Sequence, residues 1–67
     1  MLDTTRNCDM KLFRLQRRAI AKGVNIIIDP DYVLLCQYIT KLEDGQMTIE
    51  RFKARFPKVH DRLAAKL

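Results

Sequence analysis

Taken at 100° per residue, the stretch from Asn7 to Lys22 places Cys8, Leu12, Leu15 and Ala19 on one face, widened on one flank by Phe13 and Ile20. Asn7 or Asp9 can cap such a helix, and Gly23 supplies the left-handed residue that ends it. Away from the apolar stripe, Lys11, Arg14, Arg18 and Lys22 recur at spacings of three, four and four, with Arg17 beside them. The pattern predicts an amphipathic helix with a basic ridge.

The next stretch, VNIII (24–28), is too short for a helix and rich in β-branched residues, and Asp29 is pushed toward an extended backbone by the proline that follows it. It predicts a short strand or extended connector with Val24, Ile26 and Ile28 on one side and Asn25 and Ile27 on the other.

DPDYVLLCQYITKLEDG carries strong helix signals: Asp29 as N-cap, Pro30 at the first helical position, Asp31 in the first turn and Gly45 as the stop. Tyr32, Leu35, Ile39 and Leu42 form one stripe. Val33, Leu34, Cys36 and Tyr38 extend apolar character around most of the circumference, which predicts the centre of the fold or of a dimer. Thr48 can cap a third helix with Ile49, Phe52 and Phe56 on one face and Arg51, Lys53 and Arg55 in water. Pro57 is expected to end or sharply redirect it. KVHDRLAAKL then forms a last segment, with Val59, Leu63 and Leu67 inward and Lys58, Arg62 and Lys66 outward.

The expected fold is therefore mainly α, a small three- or four-helix domain with a possible short strand at 24–28. It spans 1–67 as one unit, with 1–7 as a flexible amino terminus. A chain of 67 residues buries only about 60% of the surface it exposes when unfolded. Self-association would support it, and a homodimer is expected.

Charge changes the picture more than composition does. Thirteen Lys and Arg against eight Asp and Glu leave a net charge of +5, which favours nucleic acid, anionic lipid or an acidic protein as partner. Cys8 and Cys36 form no CxxC pair and His60 is the single histidine, so one chain cannot assemble a four-ligand zinc site from Cys and His. No metal or cofactor is expected. Reduced thiols suit a cytoplasmic protein. The start, MLDTTRNCDM, lacks the basic and apolar regions of a signal peptide, and no apolar run approaches the ~20 residues that span a bilayer. Resting the first helix on an anionic membrane is disfavoured because its apolar stripe is modest and has other apolar segments to pack on.

Catalytic chemistry finds no constellation. His60 lies beside Asp61, but adjacent helix positions diverge by about 100° and are not expected to pair as base and orienter. There is no second histidine, no serine and no glycine-rich phosphate loop, so neither an enzyme nor a small-molecule substrate is expected. Helix capping accounts for Asp29 and Asp31.

The basic ridge offers more. Lys and Arg at helical spacing can follow a phosphate backbone, and Arg can contact phosphate bidentately. The ordinary alternative is a solvated face, but five cations between residues 11 and 22 have only Asp9 near them in sequence, so mutual repulsion works against it. A helix-turn-helix would use 48–56 as support and 58–67 as reader, yet Pro57 leaves almost no turn between them. VNIII, DPDYVLLCQYITKLEDG and TIERF also stand in the order of the ribbon-helix-helix repressors. Ile27 would face DNA where a polar reader is required, Pro57 shortens the second helix, and a helix precedes the strand. No family is assigned on that order.

The function expected from sequence is a small basic regulatory protein that binds nucleic acid, with DNA favoured. Its contacts would be Lys11, Arg14, Arg17, Arg18 and Lys22, assisted by Arg51, Arg55, Lys58 and Arg62. The alternative is an adaptor or inhibitor docking on an acidic protein surface. Val24, Ile26, Ile27, Ile28, Leu34 and Tyr38 are the expected dimer or partner interface, since VNIII can add to a sheet edge and the apolar second helix can self-associate.

Overall fold

Two glycines in the left-handed region, Gly23 (φ 73°) and Gly45 (φ 75°), divide the chain into three helical segments. Each closes the helix before it in the same way. The Gly23 N–H donates to the Ile20 carbonyl and the Val24 N–H to that of Ala19, at 3.1 and 2.8 Å. Gly45 and Gln46 repeat the pattern on Leu42 and Lys41, at 3.2 and 2.8 Å. These bonds satisfy carbonyls that the helix itself leaves open, and they require positive φ at the glycine.

The protein is described here as a computed structural model covering the backbone of residues 3–67 and the side chains of residues 6–67. Helix α1 runs Asp3–Ala21, α2 Pro30–Glu43 and α3 Ile49–Ala65, with a 3-10 turn at Ile26–Ile28 between α1 and α2. The protein is a small, mostly helical domain, and no strand occurs among the described residues.

Three boundaries differ from the sequence expectation. α1 starts at Asp3, so Asn7 and Asp9 are interior residues rather than caps. Both are exposed, and the intrinsic cost of such residues inside a helix is only about 0.7 kcal/mol each. Residues 26–28 form a 3-10 turn instead of a strand. With no neighbouring strand to pair with, their backbone bonds locally: Asn25 accepts from the Ile27 N–H at 3.3 Å, and the Asp29 N–H donates to the Ile26 carbonyl at 2.9 Å.

The third difference is Pro57, which lies inside α3 and does not end it. Proline removes the bond to the Lys53 carbonyl, a loss of about 3 kcal/mol in a helix interior. Both residues are exposed, so water can take that carbonyl. Phe52 and Phe56 before the proline and Val59 and Leu63 after it bury on one continuous stripe, and each such side chain contributes about 1.5–3 kcal/mol. Packing outweighs the broken bond. The division of 48–67 into supporting and reading helices therefore does not exist here.

α2 is central, packing against α1, α3 and the 3-10 turn. Its N-terminus is built as expected, with the Asp29 carboxylate accepting from the Asp31 N–H at 2.9 Å and Pro30 opening the helix. Thr48 caps α3 by accepting from the Arg51 N–H at 3.2 Å. The core joins Cys8, Leu12, Leu15 and Ala19 of α1, Ile26, then Leu35, Tyr38, Ile39 and Leu42 of α2, and the four α3 residues just named. Phe13 and Ile20, expected to widen the α1 stripe, and Ile49, expected on the inner face of α3 with Phe52 and Phe56, are instead 58%, 69% and 44% exposed. The body measures only 35 × 19 × 16 Å, so a narrow stripe on each outer helix suffices to cover α2. The Phe13 ring is capped by the Arg17 guanidinium, 5.9 Å from its centroid.

Candidate nucleic-acid interface

Along α1, the core stripe of Leu12, Leu15 and Ala19 is flanked on one side by Lys11, Arg14 and Arg18, because residues three and four apart share a helix flank. All three cations are exposed, and they border a groove of about 330 Å³ whose other wall is His60 of α3 and whose floor includes Leu15. A second hollow of about 280 Å³ shares Lys11 and extends toward Asn7, Lys53 and Pro57 over the Phe52 and Phe56 rings. Both hollows lie between α1 and α3, with Lys11 as their shared wall. Among the described residues no carboxylate lines either of them.

Lys53 and His60 reach these hollows because they stand seven residues apart, two turns on one flank of α3. Lys53 was not among the residues singled out from sequence. The spacing was readable, but which flank would meet α1 was not. His60 Nδ1 lies 3.2 Å from Asp61 Oδ1, contrary to the expectation that neighbouring helix positions would not meet. The Cα directions do diverge, but the two side chains bend toward each other at the exposed edge.

The remaining sequence candidates separate. Lys22 is exposed just beyond α1, in line with the ridge. Arg17 lies off the groove, over Phe13. Arg51, Arg55 and Lys58 are exposed on the other flank of α3: Arg55 is two positions from Lys53, hence about 200° around the helix. Arg62 shares that flank but is engaged. Its Nε donates to both Asp31 carboxylate oxygens at 3.1 Å and its Nη2 to Oδ1 at 2.6 Å, while Lys66 Nζ reaches Asp31 Oδ2 at 2.9 Å and Asp29 at 3.1 Å.

This corner corrects the view that capping alone accounts for the two aspartates. Hydrogen bonds from Arg62 first and Lys66 second hold the Asp31 carboxyl well below its usual range, at about 2. The same bonds raise Arg62 and Lys66. Asp31 thus joins the start of α2 to the end of α3.

Of the expected interface residues, Ile26 and Tyr38 are buried in the core and Leu34 is half-buried, whereas Val24, Ile27 and Ile28 are exposed, Ile28 by 78%. Cys8 and Cys36 are free thiols, and burial raises both. Among the described residues no helix is long and apolar enough to cross a membrane. No protein-family model matches the chain, and neither curated proteins nor solved structures include a match to it.

Proposed function

We propose that the protein is a small regulator that binds nucleic acid, with duplex DNA as the preferred form, through the α1 ridge of Lys11, Arg14, Arg18 and Lys22. The observation that carries this reading is the carboxylate-free groove in which three of those cations face His60, with Lys53 farther along the same α3 flank. Cations collected along a groove whose lining holds no carboxylate gain most from a phosphate backbone, because binding releases the counterions condensed on it. From Lys11 to Lys22 the ridge rises about 16 Å, the length of about five base-pair steps, so successive phosphates fall within its reach.

Fluorescence anisotropy of a labelled duplex tests it. If four phosphates are neutralised, raising salt from about 50 to about 200 mM weakens binding about a hundredfold. Charge reversal in R14E/R18E abolishes binding with the circular dichroism spectrum nearly unchanged. Absence of binding by the wild type at low salt sinks the proposal.

A second reading is an adaptor that docks on an acidic protein surface. The exposed apolar residues Phe13, Ile20, Ile27 and Ile28, with Arg17 over the Phe13 ring, favour it, because apolar surface with basic side chains beside it suits such a partner. The same exposed residues support self-association as a homodimer, which light scattering measures directly.

A further inference from the structure

We infer that the protein carries a second phosphate surface, made of Lys41, Arg51, Arg55 and Lys58, and uses it together with the α1 groove to bridge two duplexes. The inference rests on the nucleic-acid reading above and adds how many duplexes one molecule engages.

The Asp31–Arg62 pair shows which flanks of α2 and α3 meet. On α2, residues 31, 34, 38 and 41 repeat on that flank, and on α3 residues 51, 55, 58 and 62 do so. The two helices are joined by the short connection 44–48, so the end of α2 lies beside the beginning of α3. Lys41 therefore stands on the same side as Arg51 and Arg55. All four cations are exposed, and among the described residues none has a carboxylate within 4 Å. The surface stops where Asp31 and Asp29 neutralise Arg62 and Lys66.

Two separate surfaces follow from the helix geometry. Arg55 and Lys53, like Arg62 and His60, are two positions apart and so point about 200° away from each other. One cationic surface faces the α1 side of α3, the other the α2 side. The domain is 16 to 19 Å across its short axes, and duplex DNA has a persistence length of about 150 bp. A duplex lying on one surface cannot curl around so small a body to reach the other. The second surface is open to a second duplex.

The test mixes two short duplexes, one carrying a donor dye and one an acceptor, with the full chain at about 50 mM salt, while anisotropy follows binding to one duplex. Energy transfer is expected near equimolar protein and is expected to disappear in excess protein, where each duplex is covered separately. In the variant R51Q/R55Q/K58Q, affinity for a single duplex should change by less than about threefold while transfer falls at least about tenfold. A circular dichroism spectrum matching the wild type shows that the variant is folded. Wild-type binding without transfer at any ratio overturns the bridging inference and leaves the nucleic-acid reading standing. Undiminished transfer in the triple variant also overturns it, since bridging would then arise through a dimer. Parallel loss of both signals overturns it too, by showing one surface instead of two. No wild-type binding overturns both readings.

Discussion

Arg14 and Arg62 are both exposed arginines on the flanks of amphipathic helices, and each belongs to a row of cations at helical spacing. Arg62 meets a carboxylate from another helix and becomes part of the scaffold. Arg14 meets Lys11, Arg18 and His60 around an open groove and has no counter-charge there. The difference lies with the opposite wall. Where α3 crosses the start of α2 it finds Asp29 and Asp31, placed there because a helix N-terminus favours acidic residues. Where it runs beside α1 it finds the middle of a helix, which has no such preference. A cation's role in this small protein is set by what the neighbouring helix happens to need.

That comparison requires α3 to keep its register through Pro57, since Lys53 and Arg55 precede the proline and Lys58, His60 and Arg62 follow it. P57A tests this with the largest expected effect. Restoring the missing bond at an exposed interior position should stabilise the fold by about 1–3 kcal/mol in urea unfolding. Destabilisation would mean that proline shapes the helix to bring His60 to the groove, and the two flanks would need redrawing.

Paired neutral variants then separate the two arginine clusters. R14Q/R18Q should reduce the salt slope of duplex binding by about two, one for each lost phosphate contact, and leave the melting temperature in place. R62Q/K66Q should do the reverse, lowering the melting temperature while the salt slope stays unchanged. A lowered slope in the second variant would place the corner on the binding surface and erase the distinction.

The smallest effect is confined to acid. Asp31 has its folded value depressed to about 2, so its pairing stabilises the protein fully above its unfolded value of about 4 and is lost as pH falls toward 2. D31N should melt below the wild type at pH 6, and the gap should close between about pH 4 and 2. A gap that persists at pH 2 would show that the carboxylate contributes by shape or capping rather than by charge.

Much of the fold was legible in local chemistry. Asp29, Pro30, Gly45 and Thr48 mark helix ends through bonds made within a few residues, so their roles survive any packing. The inward residues Leu12, Leu15, Leu35, Ile39, Phe52 and Leu63 follow from helical period alone. Two of the misread points depend on a partner. VNIII has strand propensity, but a strand needs a neighbour to bond, and alone it turns. Pro57 breaks a helix only where packing on either side does not hold it.

The same boundary runs through the candidate site. Sequence by itself determined that α1 is amphipathic, that its cations share one flank, and that no local acid relieves them, because helix geometry repeats every 3.6 residues whatever surrounds it. Only the tertiary structure decided that this flank opens on Lys53 and His60, while Arg62 and Lys66 are drawn to Asp31 and Asp29. Those choices depend on how helices far apart in the chain lie against one another, and the charge on a side chain carries no record of the wall it will face.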